Sequence, residues 1–282
     1  KGVIPNSQLF LIGYSQGGHA TMGMVREIQE NYNDQLEVTA SAPMAGPYSM
    51  SGVMRDLMLS GMPYPNPGYL PYVLFSYQNI YNLFDDVTEI MLPPYNQFLF
   101  GMYNGSYSMT SINAMLPSDP IEIFKDDFYD EFVNDPNHPL NIALFDNDVY
   151  DFVPQSPMKL LHCNGDLSIP IENAELAYNH FIDAGAIDIY FEDGGNYGHT
   201  ACAQLAIIGS KLWIDTMSDI CEPESTDISE SFTSNQRKLV GIFDLIGRDV
   251  DANTTNNQIL LYLYNDGSFE KRHSNFETQI QR

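Results

Sequence analysis

The sequence feature that most constrains the fold is an apolar run that leads directly into a glycine-flanked serine. Residues 8–12 read QLFLI, and residues 13–17 read GYSQG, with the serine at position 15. A short apolar run that ends at glycine is typical of a buried parallel strand. Apolar residues recur at helical spacing over 16–31, and 36–42 predict another strand. Strand, tight turn, helix and strand together predict an α/β fold.

The G-x-S-x-G pentapeptide predicts a strained turn that presents Ser15 as a nucleophile. The glycines at positions 13 and 17 are expected to let neighbouring backbone approach without a Cβ clash. The following helix would direct backbone N–H groups at the serine, so the N–H of Gln16 is the candidate oxyanion-hole donor. The pentapeptide alone is a weak pattern, but here a predicted strand and a predicted helix flank it.

Two further residues complete a candidate catalytic triad. Asp166 follows a strand predicted over residues 158–163, and His199 follows one predicted over residues 186–191. Because the carboxyl ends of parallel strands meet at one edge of a sheet, both side chains are expected beside Ser15. A serine hydroxyl needs a base and an orienting acid to become a strong nucleophile. The sequence therefore predicts Ser15 as nucleophile, His199 as base and Asp166 as acid.

Other histidines compete for the role of base. His19 lies one helical turn beyond Ser15, and its direction from the helix should carry it away from the hydroxyl, so packing or a cap contact is favoured. His162 lies within the strand before Asp166 and is interpreted as a core histidine whose hydrogen bonds are satisfied. The other histidines have no predicted strand end nearby: His138, His180 and His273.

Other acidic residues compete for the role of acid. Glu192 and Asp193 follow the last predicted strand but lie too close to His199 in sequence to reach its Nδ1 comfortably. A cluster of three acids invites a metal site, yet it lacks the glycine and terminal glutamate of a calcium loop, so a solvated loop is favoured: Asp146, Asp148 and Asp151. Neither a metal nor an organic cofactor is expected.

Residues 48–157 break the α/β pattern and are rich in Tyr, Phe, Met, Pro and Asn. This stretch is too long for a loop in a compact domain, so it is predicted to form an inserted, mainly helical cap. An aromatic stripe within it could line an acyl pocket or form the core of the cap, and the core is favoured: Tyr69, Tyr72, Phe75, Tyr77, Tyr81 and Phe84.

These residues resemble the α/β-hydrolase superfamily over residues 6–217. GYSQGG at 13–18 and the capped layout are similar to secreted esterases and lipases, and HCNGD at 162–166 followed by Ile169-Pro170 is similar to the segment with that family's triad acid. The resemblance implies an α/β-hydrolase fold with a mostly parallel eight-stranded sheet. It also implies hydrolysis of small-molecule or lipid esters through an acyl-enzyme.

The chain departs from that family at its start. The first four strands and the loop with the second oxyanion donor should precede the nucleophile strand, but only about a dozen residues do. We therefore expect an N-terminally truncated chain, with the C-terminal half of the sheet in residues 1–47 and 158–221. Two other functions stay open: a serine peptidase of prolyl-oligopeptidase type, and a catalytically silent surface-binding protein.

Charge divides the chain into two parts. The formal net charge is −25, but residues 237–282 hold six basic and six acidic side chains, so the excess acid lies before Arg237. An acidic body argues against nucleic acid and anionic membranes as partners. The sequence has no apolar run of 18 residues or more, so no transmembrane segment is expected.

Residues 222–236 are rich in Ser, Glu and Thr and predict a linker, and residues 237–282 alternate apolar and polar residues as a small β unit would. Asp266-Gly267 is a hairpin signal. This segment resembles the C-terminal sorting segment of Bacteroidetes proteins that use type IX secretion. The resemblance implies a secreted or cell-surface protein with the secretion machinery as partner.

Three cysteines allow at most one disulfide. Cys202 and Cys221 would lie near opposite ends of one helix, roughly 28 Å apart at 1.5 Å per residue, too far to bond. Cys163 with Cys202 is the candidate pair, because each lies a few residues from a proposed triad member. Buried free thiols are favoured over that disulfide.

Overall fold

A computed structural model describes residues 6–219, 238–243, 250, 259–264 and 269–273. The chain divides into two compact units, residues 1–221 and residues 222–282. The predicted linker, the Asp266-Gly267 hairpin signal and Cys221 lie outside the described residues. No helix in the described part of the chain is long and apolar enough to cross a membrane.

Within residues 6–219, four parallel strands form one sheet in chain order: β1 (Leu9–Tyr14), β2 (Val38–Met44), β3 (Met158–His162) and β4 (Ile189–Asp193). The predicted strands lie within a few residues of these bounds. Because all four strands are parallel, their carboxyl ends lie at the same edge. This arrangement confirms the predicted α/β class and brings the ends of β1, β3 and β4 together.

Helices cover both faces of this sheet: α1 (Gln16–Asn31) and α9 (Glu172–Asp183) pack over one, and α10 (His199–Asp215) over the other. The first face buries a large apolar cluster that includes Met22, Leu160 and Phe181. Burial on both faces explains why the central strands β2 and β3 are buried at nearly every position. β1 borders the sheet within residues 6–219, and its Ile12 is 44% exposed.

Between β2 and β3 the chain forms seven helices: α2 (Arg55–Met58), α3 (Tyr69–Tyr81), α4 (Val87–Ile90), α5 (Tyr95–Met102), α6 (Met109–Asn113), α7 (Asp126–Asn134) and α8 (Pro139–Asp146). A π-helical turn, Met50–Met54, precedes them, and a 3-10 turn, Pro120–Ile123, lies before α7. The segment has a hydrophobic core of its own, built largely from Met, Leu, Ile and Phe. Polar side chains cap the N-termini of several of its short helices; for example, the Asp86 carboxylate accepts a hydrogen bond from the Thr88 N–H at the start of α4.

The second unit contains an antiparallel sheet of three described strands, β5 (Leu239–Phe243), β6 (Ile259–Tyr264) and β7 (Phe269–His273). The central strand β6 is the most apolar of the three, and Leu260 is buried. On its surface the Arg272 guanidinium lies 4.6 Å from the centre of the Tyr262 ring. The sequence alternation in this region therefore corresponds to real strands.

Candidate active site

Ser15 lies in a strained turn between β1 and α1. Its φ of 60° and ψ of −123° fall in a region that non-glycine residues rarely adopt. The turn is held in place by its own backbone, because the Ser15 N–H donates to the Met44 carbonyl at 2.9 Å and the Ser15 carbonyl accepts from the His19 N–H at 3.1 Å. The strain thus projects the serine side chain at the carboxyl edge of the sheet, as the pentapeptide predicted.

The glycines that make this turn possible differ in part from the predicted pair. A Cβ added at Gly13 would collide with the carbonyl of Gly17, so the expectation holds there. A Cβ added at Gly17 meets nothing within 4 Å, so the prediction of a steric need at Gly17 was wrong. The second tight position is Gly18, where a Cβ would collide with the Met44 carbonyl as α1 packs against β2.

The three predicted triad side chains come together at the ends of β1, β3 and β4. The His199 Nε2 lies 2.8 Å from the Ser15 Oγ, and the His199 Nδ1 lies 2.5 Å from the Asp166 Oδ2. Asp166 is buried, whereas Ser15 and His199 are half-buried. The arrangement can move a proton from a hydroxyl to an imidazole whose other nitrogen a carboxylate orients.

Asp166 is a buried carboxylate with its charge well supported. Its Oδ1 accepts from the backbone N–H groups of Ser168 and Ile169, at 2.9 and 3.0 Å. Burial by itself raises the pKa of Asp166, but the contacts with His162, His199 and the Ile169 N–H outweigh burial and hold that pKa well below its usual range. Asp166 is therefore an ionised carboxylate beside the His199 imidazole.

Tyr14 is a contributor that the sequence reasoning missed. Its hydroxyl donates to the His199 carbonyl at 2.5 Å, and its ring centre lies 5.1 Å from the imidazole centre. Burial, followed by the nearby charge of Asp166, raises the pKa of Tyr14, so the hydroxyl stays protonated and can donate. Its place inside the pentapeptide, one residue before the nucleophile, was the signal that could have singled it out.

A cavity of about 370 Å³ opens beside Ser15 between the sheet edge and the inserted helices. Gln16 and His19 line it from α1, and most of the remaining lining residues are apolar or aromatic: Pro47, Met50, Met54, Leu57, Met58, Tyr64, Tyr69, Leu70, Tyr72, Val73, Tyr77, Pro120 and Ile169. No Asp, Glu, Lys or Arg is among the described residues that line it. Such a cavity suits an apolar group attached to a polar reacting centre.

Comparison with known proteins gives the chain its family. A family model described as secretory lipase matches residues 1–218, a range that includes Ser15, Asp166 and His199. The chain belongs to the secretory lipase family. The predicted likeness to secreted esterases and lipases is thereby confirmed at the level of family.

Solved structures agree with the secretory lipase assignment. The rice cell wall degrading esterase LipA from Xanthomonas oryzae is 26% identical, with a TM-score of 0.67, over 76% of this chain and 60% of that one. Lipase A of Candida antarctica shares the fold, with a TM-score of 0.60 at 15% identity over 76% of this chain and 50% of that one. The chain thus spans about 60% of the length of LipA. A search of curated proteins found no match.

The cysteine prediction was wrong for this member of the secretory lipase family. Cys163 and Cys202 form a disulfide, with their Cα atoms 6.0 Å apart. Cys163 lies three residues before Asp166, and Cys202 lies three residues after His199. The bond therefore ties the acid loop directly to the start of the histidine helix.

The aromatic stripe serves both of the purposes that the sequence left open. Tyr69, Tyr72 and Tyr77 line the cavity, whereas Phe75 belongs to the core of the inserted segment. The preference for core alone was wrong, because one side of α3 faces the cavity and the other faces the core. A single helical period in the sequence does not say which side is which.

The competing histidines adopt specific roles. The His19 Nδ1 lies 2.8 Å from the Pro47 carbonyl and its ring lines the cavity, so the predicted packing role is accompanied by contact with the cavity. His162 is fully buried, and its Nε2 lies 2.9 Å from the Ile169 carbonyl. Its Nδ1 has no hydrogen-bond partner among the described residues. The prediction of a core histidine with both ring nitrogens hydrogen-bonded therefore holds for Nε2 only.

The competing acids have hydrogen-bond partners other than the His199 imidazole. The Asp193 carboxylate accepts from the N–H of Gly195 and from the side chain of Asn164. In the acidic cluster, the prediction of a solvated loop was wrong for Asp148, which is buried and accepts from the N–H and hydroxyl of Ser51. No group of three His, Cys, Asp or Glu side chains within the described ranges is placed to hold a metal ion.

Proposed function

We propose that this protein is a secreted serine hydrolase that cleaves carboxylic esters through an acyl-enzyme, with Ser15, His199 and Asp166 as its triad. The observation that carries the proposal is the continuous contact from the Asp166 carboxylate through the His199 imidazole to the Ser15 hydroxyl. Two further observations support an ester substrate: the cavity beside the triad is lined by no Asp, Glu, Lys or Arg among the described residues, and the chain belongs to the secretory lipase family.

The chemistry follows from the geometry. The Ser15 Oγ attacks the ester carbonyl carbon while its proton passes to the His199 Nε2, and the Gln16 N–H at the start of α1 faces the developing oxyanion. Collapse of the tetrahedral species breaks the bond to the alcohol, which leaves with the proton from His199. Water then loses a proton to His199 and attacks the acyl-enzyme, which releases the carboxylic acid and restores the Ser15 hydroxyl.

Asp166 holds the imidazole in the tautomer that can act as a base. With its proton on Nδ1 facing the carboxylate, the neutral ring presents a lone pair on Nε2 to the serine. The same carboxylate stabilises the imidazolium that forms as the serine attacks. We propose residues 48–157 as the cap that supplies the acyl-binding side of the cavity.

A fluorophosphonate probe tests the nucleophile directly. The full chain should be labelled, whereas Ser15→Ala and His199→Ala should not, and Ser111→Ala, at an exposed position of α6, should label as the wild type does. Unchanged labelling of Ser15→Ala would show that another residue is the nucleophile. Absence of labelling in the wild type would favour the silent surface-binding protein.

A substrate series separates the esterase from the peptidase. We expect hydrolysis of p-nitrophenyl acetate, butyrate and octanoate, and no cleavage of succinyl-Gly-Pro-p-nitroanilide, because the described cavity lining offers no charged partner for a peptide. Peptide cleavage without hydrolysis of the longer esters would overturn the ester assignment. Hydrolysis of acetate alone would not decide, since peptidases also cleave it.

We also propose that the second unit directs secretion through a type IX system. Residues 222–282 form a compact unit of their own, and their described strands form a separate antiparallel sheet. Both features support a role separate from catalysis. Deletion of residues 237–282 should keep the hydrolase inside a Bacteroidetes host that has this system, while intracellular activity persists. Equal release of full-length and deleted protein into the medium would contradict the proposal.

A further inference from the structure

His162 is a buried histidine that the proposed chemistry does not use. It is the last residue of β3, four residues before Asp166, and none of its surface is exposed. Its Nε2 lies 2.9 Å from the Ile169 carbonyl. Since a carbonyl only accepts, this nitrogen carries the proton. The ring is therefore oriented by a single donated hydrogen bond.

The same nitrogen also faces the proposed triad acid. The His162 Nε2 lies 3.5 Å from the Asp166 Oδ2, the oxygen that contacts the His199 imidazole. At this length it is an electrostatic contact rather than a full hydrogen bond. The polarised N–H, which is bonded to the Ile169 carbonyl, thus also lies beside the carboxylate oxygen on which the orientation of His199 depends.

His162 and Asp166 hold the two ends of one backbone unit. The Ile169 carbonyl accepts from His162, while the Ile169 N–H donates to the Asp166 Oδ1 at 3.0 Å. The loop between strand and acid is closed into a ring by these contacts. Movement of the imidazole would therefore move the backbone that positions the carboxylate.

This arrangement has a local cost. The His162 Nδ1 is buried without a partner among the described residues, and an unsatisfied buried polar atom destabilises the folded state. An apolar side chain of similar size would avoid that cost inside the surrounding core, where Leu160 and Leu161 are also buried. The presence of an imidazole at this position is explained by the contacts of Nε2 with the Ile169 carbonyl and with Asp166.

We propose that His162 is a positioning residue for the triad acid. Its Nε2–H holds the Asp166 loop through the Ile169 carbonyl and partly offsets the negative charge on Asp166 Oδ2. The inference rests on the proposed function of Ser15, His199 and Asp166. His162 touches no substrate atom in this scheme and acts through the carboxylate alone.

Other titratable groups face this pair and stay unchanged in the test. The Tyr14 hydroxyl is bonded to the His199 carbonyl, and the Tyr64 hydroxyl to the Ser168 carbonyl at 2.8 Å. Asp193, the last residue of β4, lies opposite His162 in the pairing of β3 with β4. A change confined to residue 162 leaves all three in place.

Two polar variants of the full chain separate positioning from bulk structure. Glutamine can place an N–H near the position of Nε2, whereas asparagine is too short and reaches only the position of Nδ1. We expect His162→Gln to keep most of the wild-type kcat, and His162→Asn to lower kcat about 10- to 100-fold with little change in KM. The acidic limb of the kcat/KM profile should move to higher pH in His162→Asn, because the carboxylate, without the polarised N–H beside Oδ2, holds the proton on His199 more strongly.

Equal kcat and equal pH profiles in the two variants would overturn the proposal, as would a loss of kcat in His162→Asn without any displacement of the acidic limb. Both variants are polar and of similar or smaller volume, and thermal unfolding verifies that they fold. Fluorophosphonate labelling of the wild type distinguishes the two proposals. If Ser15 is not labelled there, the triad itself fails; if it is labelled and the variants behave alike, only the role of His162 fails.

Discussion

The edge of the parallel sheet and the inserted segment above it face the same cavity but are built in different ways. At the sheet edge, short hydrogen bonds join Ser15, His199 and Asp166, and a disulfide ties the acid loop to the histidine helix. The inserted residues 48–157 contain no cysteine and face the cavity with methionine, leucine and tyrosine. The catalytic side of the cavity is thus fixed by directional contacts, whereas the inserted segment lines it mainly with packed apolar and aromatic side chains.

This difference matches two physical requirements. Proton transfer and attack on a carbonyl depend on reacting atoms held about 3 Å apart in a defined direction, which only hydrogen bonds and covalent links secure. Binding an apolar group depends on volume and on exclusion of water, which adaptable side chains such as methionine provide. Changes at the sheet edge should therefore affect rate, and changes in the inserted segment should affect substrate preference.

The largest effect is expected from Asp166→Asn. An amide would donate to the His199 Nδ1, reverse the tautomer and leave no lone pair facing Ser15, so kcat should fall about 10³- to 10⁴-fold. Steady-state kinetics with p-nitrophenyl butyrate measures this fall. Asp193→Asn is the matched control, because Asp193 is the last residue of the neighbouring strand β4 and its carboxylate binds Asn164. A larger loss in Asp193→Asn would contradict the choice of acid.

Removal of the disulfide should mainly affect stability. Cys163 and Cys202 are 39 residues apart, and loop entropy gives about 4 kcal/mol for a closed loop of that length. Cys163→Ala combined with Cys202→Ala should lower the free energy of unfolding by roughly that amount in urea titrations. Cys221→Ala leaves the bond intact and serves as control. Equal stability of wild type and double variant would show that the bond does not stabilise the sheet edge.

Narrowing the cavity should change substrate preference rather than the chemistry. Val73 lines the cavity from α3, so Val73→Phe should lower kcat/KM for the octanoate relative to the acetate roughly 10- to 100-fold. Ile80→Phe lies on the same helix at a position that is 78% exposed and should leave the ratio unchanged. If Val73→Phe slows both esters equally, the cavity does not bind the acyl chain.

The smallest effect concerns His19, where α1 meets the inserted segment. Burial is the main cause that lowers the pKa of His19, against the opposing effect of the Pro47 carbonyl, so the folded protein keeps the ring neutral. Below pH about 6.5 the unfolded chain binds a proton that folded His19 does not, and stability falls as pH decreases. Urea titrations at pH 7.5 and 5.5 should show a smaller fall in His19→Gln. An equal fall in both proteins would contradict a neutral His19.

Much of the candidate site could be predicted because its signals are local. The apolar run before Ser15 and the helical period after it define a strand, a turn and a helix within about 25 residues. Asp166 and His199 each follow an apolar strand, and parallel strands bring such positions to one edge. The order of these elements along the chain was therefore sufficient to place the three side chains near each other.

Other features depended on distances that no local pattern contains. Gly18 is tight because α1 packs against the end of β2, and the disulfide forms because β3 and α10 bring its two cysteines within reach. Asp148 is buried because the turn at Ser51 covers it. In each case the partner is far away in the sequence, so the residue itself carries no sign of the contact.

The sequence by itself determined the α/β class and the three candidate triad residues, since backbone periodicity and the glycine-bounded turn are short-range properties. Only the tertiary structure decided which aromatic residues face the cavity, that Tyr14 and His162 contact the triad, and that Cys163 and Cys202 are joined. Side-chain periodicity says that a helix has two faces, but what each face meets is decided by packing with elements distant along the chain.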